Sequence, residues 1–322
     1  MRGIAGFLYG LDLHHLDHIA PLCSLLGIPL LCTDELPKTL ATHFYPDLEV
    51  QLYPDTESIV AHHDTLFTCL PKPLFDQIFF FDEHKQKKKL FSIWLPHGNS
   101  DKDNLGGLSQ EKLILTYGKQ METILKDKKI FAPTFPIGHF RKTFFEKHRT
   151  FYNKLLTKRI SFSSGKTILY APTWNHSDVV ADLPLLLKNL PPNYNLLVKL
   201  HPNTLNKLPH LPEQYPDIPF ISDIPTIFPI LDKTDILITD TSSIAYDFLA
   251  FDRPLYFFTS DRTPIHRTGY ITSPKTLPKD LERPDIFDDA RKELYSYTFH
   301  KSFPQDLLSQ VKTHIESEIN LL

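Results

Sequence analysis

The stretch Asp235–Phe258, DILITDTSSIAYDFLAFDRPLYFF, decides the fold. It opens on Ile236-Leu237-Ile238, a short apolar run rich in β-branched residues, which reads as a buried strand of a parallel sheet. Thr239-Asp240-Thr241-Ser242-Ser243 follows, with hydroxyls and a carboxylate suited to capping a helix. Ile244, Phe248 and Phe251 recur at helical spacing, and Arg253-Pro254 ends that helix before a second apolar strand, Leu255–Phe258. The segment is one βαβ unit. Ligands of a parallel sheet sit beyond the carboxyl ends of its strands, where a helix N-terminus offers unpaired N–H groups to an anion. The turn Asp240–Ser243 is therefore expected to hold a phosphate or pyrophosphate, with Ser242 and Ser243 adding hydroxyl donors. A well-capped helix in an ordinary α/β domain accounts for the segment equally well.

The same alternation of short apolar strands and helices runs through the rest of the chain. Ile4–Tyr9 reads as a strand, Leu13–Leu26 as a helix and Ile28–Cys32 as a strand, with further strands at Val50–Tyr53, Leu66–Leu70, Leu90–Leu95, Lys112–Thr116 and Phe131–Gly138. An amphipathic helix is expected over Lys142–Ile160, strands at Thr167–Tyr170 and Leu196–Leu200, and a closing helix over Leu307–Leu321. This pattern belongs to parallel sheets covered by helices on both faces. At 322 residues and 41% hydrophobic, the chain has material for two cores. A junction is expected between Gly138 and Gly165.

A formal net charge of −3 gives no basic surface for nucleic acid. Cys23, Cys32 and Cys69 lack CxxC spacing and read as buried thiols in a reducing compartment. No apolar run reaches the length of a membrane span, and no signal peptide is read at the start. The expectation is a soluble or peripheral, cytoplasmic protein. Lys85-Gln86-Lys87-Lys88-Lys89 reads as a solvated loop, with attraction to an anionic membrane surface as the alternative. His14 and His18 have the spacing of a metal pair, but no Glu follows His14 as the zinc-protease motif requires, and solvated or capping roles are expected for them and for His62-His63. Ser163-Ser164-Gly165-Lys166-Thr167 ends like a P-loop, but Ile160 stands where the first glycine would be and a strand follows, so it is no Walker A site.

Two strand ends carry histidines. Leu90–Leu95 runs into Pro96-His97-Gly98, which places an imidazole for proton transfer beside a residue that lets a ligand approach the backbone. Leu196–Leu200 runs into His201-Pro202-Asn203.

LPHGNSDK (Leu95–Lys102), LYAPTWNHSD (Leu169–Asp178), VKLHPN (Val198–Asn203) and ITDTSSIAYDFLAFDRPLYFF, in that order over roughly residues 90 to 270, resemble the motif series of the CDP-glycerol glycerophosphotransferase family, the teichoic-acid primases and polymerases. The resemblance implies two Rossmann-like doubly wound domains facing across a cleft, of GT-B type, with residues 1–150 on the acceptor side and residues 151–322 holding the nucleotide donor. It implies transfer of a glycerol-phosphate-type group from a CDP-linked donor to a hydroxyl acceptor, on a membrane-linked glycan or lipid in that family, with release of CMP. His97 would be the catalytic base and His201 would lie at the donor phosphates. Thr173, Asp240, Thr241, Ser242, Ser243 and Arg267 would bind the donor, and Gly98, Asn99 and Ser100 would form the acceptor loop. Asn99-Ser100 stands where the family has Thr-Pro, and Thr143 where it has Asp. No acidic cluster with metal spacing accompanies the motifs, and neither a metal nor a cofactor is expected. Contact with the inner face of the cell membrane would follow from such an acceptor. A nucleotide-sugar glycosyltransferase or epimerase of the same fold, or a non-catalytic nucleotide-binding descendant, remains an alternative.

Overall fold

A computed structural model describes residues 3–99, 106–160, 164–174 and 176–319. These fall into two compact units. The first is made by the chain up to Gly98, the stretch that ends at His148 and the chain from Tyr297 on; the second is made by Asn99 and Arg149–Ser296.

The first unit is a seven-stranded parallel sheet in the order β3-β2-β1-β4-β5-β6-β7, from β1 (Ile4–Leu8), β2 (Leu30–Cys32), β3 (Val50–Leu52), β4 (Thr65–Thr68), β5 (Phe91–Trp94), β6 (Ile114–Thr116) and β7 (Thr134–Pro136). The strands at the centre are buried on both faces, as a parallel sheet under two helix layers requires. Phe7, Leu31, Leu66, Phe75 and Phe79 fill one core cluster. The helix Leu13–Leu26 spans the residues that the sequence periodicity indicates, and it is tied to the helix Phe140–Lys147 by a buried ion pair, Arg141 to Asp17. Arg141 Nε also donates to the Asp17 carbonyl at 3.0 Å, and Tyr45 Oη donates to the Asp17 carboxylate at 3.1 Å.

The single helix expected over Lys142–Ile160 is instead two, Phe140–Lys147 and Arg149–Thr157, separated at His148 (φ −111°, ψ 18°). The first unit ends at that break. The chain from Tyr297 returns to the first unit. His300 N–H donates to the Tyr117 carbonyl at 2.7 Å, Thr298 Oγ1 donates to Gln120 at 2.7 Å, and the His139 ring stacks on Phe299 at 3.9 Å. Gly138, at φ +61°, admits this return, since a Cβ there would lie 2.7 Å from the His300 carbonyl oxygen. The closing helix Leu307–Ile319 then buries Leu307, Val311 and Ile315.

The second unit is a five-stranded parallel sheet, β12-β11-β10-β8-β9, built from β8 (Lys166–Tyr170), β9 (Tyr194–Val198), β10 (Ile236–Thr239), β11 (Leu255–Phe257) and β12 (Tyr270–Ile271). β10 pairs with β8 on one side and β11 on the other, so the stretch that decides the fold is the centre of its sheet. β12 and the helix Asp288–Thr298 have no counterpart in the sequence reading. The buried Arg291 anchors the proline-rich segment before that helix, gripping the Asp285 carboxylate at 2.9 and 2.7 Å and Asp252 at 2.9 Å.

Three of the four lysines between residues 85 and 89 are engaged by carboxylates: Lys85 by Glu57, Lys88 by Asp64 and Lys89 by Glu83. The run thus carries little uncompensated charge towards a membrane. Among the described residues no helix is long and apolar enough to cross one. The three cysteines are free and buried, and burial pushes their thiols up, Cys32 to about 12.

Candidate functional site

In the second unit, the carboxyl ends of β8, β9 and β10 are neighbours, and each delivers residues named above. Thr173 follows β8, His201 follows β9, and Asp240, Thr241, Ser242 and Ser243 follow β10. Sequence placed Thr173 and Asp240 as separate donor ligands, whereas in the structure they are partners. The Thr173 N–H donates to the Asp240 carboxylate at 2.9 and 3.1 Å, and its hydroxyl donates to the same group at 2.6 Å. That pair stitches the loops after β8 and β10, so the Thr173 hydroxyl is committed to Asp240.

The helix after β10 is also shorter than expected. Ile244–Phe248 is a turn and a half, continued by the 3₁₀ segment Leu249–Phe251, and Ser243 at its start makes no side-chain capping bond. A macrodipole needs aligned peptides, and so short a helix supplies little of one. The chemical resource here is the side chains. Among the described residues the Ser242 and Ser243 hydroxyls make no hydrogen bond, and the exposed Arg267 forms no ion pair.

His201 caps the helix Pro202–Lys207: its Nδ1 accepts from Asn203 N–H at 3.1 Å. In the neutral ring the proton is thereby assigned to Nε2, which makes that atom a donor. His266 is a brace. Its Nδ1 accepts from Thr263 N–H at 3.0 Å and its Nε2 donates to the Asp240 carbonyl at 3.3 Å. This fastens the turn Pro264–Thr268, with Arg267, to the loop after β10. Trp174 is exposed, and Lys207 Nζ lies 5.7 Å from its ring centroid, so it is not core filling.

In the first unit, β5 ends in Pro96-His97-Gly98. Gly98 sits at φ +123°, a region that other residues rarely enter, and this is the physical reason for a glycine there. Its N–H donates to the hydroxyl of the buried Tyr117 at 3.2 Å. The same hydroxyl donates to the Pro96 carbonyl at 3.3 Å and lies 3.3 Å from His18 Nδ1. Tyr117, which sequence reasoning missed, therefore grips the residues on both sides of His97; an aromatic closing strand β6 gave no signal of that role. Asn99 is buried, and Ser100 lies outside the described residues.

His97 itself is exposed to solvent, yet it is crowded by protein and by other imidazoles. Its ring centroid lies 4.9 Å from that of His15 and 6.0 Å from that of His14. Desolvation first, and His14 second, push its pKa down to about 4, against a smaller opposite pull from Asp12. His97 is therefore neutral at physiological pH. No group of three or more His, Cys, Asp or Glu among the described residues is arranged to hold a metal ion. A separate hollow beyond β1–β3 is rimmed by Asp34, Asp55, Glu57 and Asp82, charges that disfavour a phosphate.

Residues 137–283 match the family described as CDP-glycerol:poly(glycerophosphate) glycerophosphotransferase. A teichoic acid glycerol-phosphate primase of Bacillus spizizenii is 36% identical over 121 residues, which are 36% of this chain and 31% of that protein. The chain thus spans about a third of the length of the curated relatives it matches. Among solved structures, the wall teichoic acid polymerase TagF in a variant soaked with CDPG superposes with a TM-score of 0.67 at 15% identity, over 98% of this chain and 89% of that one. A UDP-GlcNAc 2-epimerase from Neisseria meningitidis bound to UDP-GlcNAc superposes at 0.54 and 12% identity, over 92% and 99%. These likenesses show the fold, two Rossmann-like units of GT-B type, as the sequence pattern and the resemblance indicated.

Proposed function

We propose, from the match of residues 137–283 to the CDP-glycerol glycerophosphotransferase family, that the chain transfers a glycerol-phosphate-type group from a CDP-linked donor to an acceptor hydroxyl and releases CMP. The observation that carries this reading is the set of anion-ready groups beyond β8–β10. Among the described residues the exposed Arg267 forms no ion pair and the Ser242 and Ser243 hydroxyls make no hydrogen bond, and His201 stands at the end of β9 on the same rim. A guanidinium and neutral donors at one rim suit a pyrophosphate.

The acceptor hydroxyl attacks the β-phosphorus of the donor and the bond from that phosphorus to the bridging oxygen breaks. CMP leaves with the bridging oxygen, and Arg267 and His201 offset the charge that develops on it. His97, neutral before the reaction, takes the hydroxyl proton. Its low pKa makes it available as a base but a weak one, so proton transfer belongs late in the attack. The acceptor is expected to be membrane-linked, as the resemblance implies. Thr173 and Asp240 act indirectly by holding the two loops together.

Calorimetric titration of CDP-glycerol, CDP and UDP-GlcNAc into the purified chain tests the reading. CDP-glycerol should bind in preference to UDP-GlcNAc, and Ser242→Ala/Ser243→Ala should weaken it. His97→Asn should retain the binding and lose transfer. Preference for the uridine compound would move the assignment to an epimerase or glycosyltransferase, and absence of binding to all three would remove the enzyme reading.

A further inference from the structure

Glu111 stands shortly before β6, at the end of the 3₁₀ segment Gly106–Gln110, and is only 5% exposed. One of its carboxylate oxygens, Oε1, accepts the N–H of Lys72, the first residue of the helix Lys72–Gln86, at 2.5 Å. That helix has Pro71 at its N-cap position, and a proline side chain has no group that could cap it. The cap therefore comes from a residue 39 positions further along the chain. The other oxygen, Oε2, is buried and has no hydrogen-bond partner. The rest of the segment packs on the same place. Leu108 is buried, and a Cβ added at Gly107 would lie 3.8 Å from the Pro71 Cβ.

A buried carboxylate oxygen without a donor makes the ionised form costly to keep, whereas protonation removes the charge and still leaves an oxygen to accept the Lys72 N–H. Burial is the main reason that the Glu111 carboxyl is pushed up, to about 7; the Lys72 N–H and ammonium oppose this, and Asp76 adds to it. Lys72 and Asp76 are the charged groups that face Glu111. Both lie on the capped helix and they pair with each other, so the ammonium is not given over to Glu111. Lys112, its neighbour in the chain, is exposed.

We propose that Glu111 is a proton-controlled latch: protonated, it holds the segment Gly106–Gln110 on the start of the helix Lys72–Gln86, and loss of the proton loosens that hold. The chain reaches this segment from the strand end that carries His97, so the latch fixes the returning end of that loop, whether or not His97 acts as a base. A carboxyl whose pKa is about 7 in the closed form and 4.5 in water binds its proton more tightly when closed. Closure is therefore firmest below pH 4.5 and weakens as the pH rises towards 7. Linkage between the two values makes opening about tenfold more frequent at pH 8 than at pH 6. His15 and His97, held neutral by the fold, act with the opposite sign, because acid promotes their exposure. Loosening as the pH rises is thus a mark of the carboxyl and not of the histidines.

The test is amide hydrogen exchange of the full chain at pH 6, 7 and 8, corrected for the intrinsic rate at each pH and read by mass spectrometry over residues 70–76 and 106–112, with Glu111→Gln and Asp76→Asn. At the helix start the Lys72 N–H bonds to Glu111, and the Leu74 and Phe75 N–H groups bond to the Pro71 carbonyl. In the parent, protection there should fall about tenfold from pH 6 to pH 8. Glutamine keeps the accepting oxygen and does not titrate, so Glu111→Gln should give a flat profile. Asp76→Asn, at a half-exposed side chain, leaves Lys72 to attract the carboxylate and should shrink the fall. That variant and the parent carry the test should Glu111→Gln lose its thermal transition. A parent profile that is flat or rises with pH overturns the proposal. So does a fall that survives Glu111→Gln, or an Asp76→Asn profile equal to the parent's. A fall shared by the strands β1–β4 also overturns it, because Glu111 would then act on the whole unit and not on a latch.

Discussion

Acidification should weaken the first unit through His15, and His15→Gln should remove that weakness. Burial first, then His14 and His97, push the pKa of His15 down to about 3, against an ordinary value near 6.5 in the unfolded chain. A folded-state pKa below the unfolded one means that the native state prefers the neutral ring. The stability this supplies is present above pH 6.5 and is lost as the pH falls from there towards 3. Linkage between those two values gives a loss of roughly 2 kcal/mol at pH 5 and almost none at pH 7.5. Glutamine imitates the neutral ring and does not titrate. The chain has two tryptophans, Trp94 in the first unit and Trp174 in the second, so urea unfolding followed by fluorescence in a Trp174→Phe background reports the first unit alone. Between pH 7.5 and 5 the parent should lose about 2 kcal/mol more than the His15→Gln variant. Equal losses would refute the claim that the fold holds His15 neutral.

Arg267→Ala should weaken CDP-glycerol binding about tenfold, the worth of one charge-assisted contact, while leaving the melting temperature unchanged because the side chain forms no ion pair among the described residues; calorimetry and a thermal scan read both. Arg141→Met strands the buried Asp17 carboxylate and should cost about 3–5 kcal/mol in urea unfolding, part of which Asp17→Asn restores. Tyr117→Phe removes the hydroxyl that holds both sides of His97 and should lower kcat about tenfold or more with little change in donor affinity; a matched fall in donor affinity would show that the residue acts elsewhere.

The strands were legible because each is a short apolar run between turn formers, and the parallel sheets followed from their alternation with helices. The break at His148 was not, since Phe144, Tyr152 and Leu155 keep an apolar stripe across it and periodicity carries no mark of a change in helix axis. The strand Tyr270–Ile271 is too short to show a period, and the return of the chain from Tyr297 depends on contacts with Tyr117, Gln120 and His139, far away in sequence. At the site, residue type indicated which positions face the strand ends. It could not indicate which polar groups would consume one another: Thr173 and Asp240 both look like donor ligands until their mutual bonds are seen.

Among the described residues, that distinction sorts both rims. After β8 and β10, Thr173, Asp240 and His266 bind each other and form a frame, whereas Ser242, Ser243 and Arg267 are left over. After β5, Tyr117, Pro96 and Gly98 form the frame beside His18, whereas His14, His15 and His97 are left over. The groups left over on the second rim are an arginine and hydroxyls, suited to a charge that is fixed. Those on the first are imidazoles, of which His15 and His97 are held neutral and can take a proton. A fixed donor pyrophosphate suits the second rim, and a proton leaving an acceptor hydroxyl suits the first.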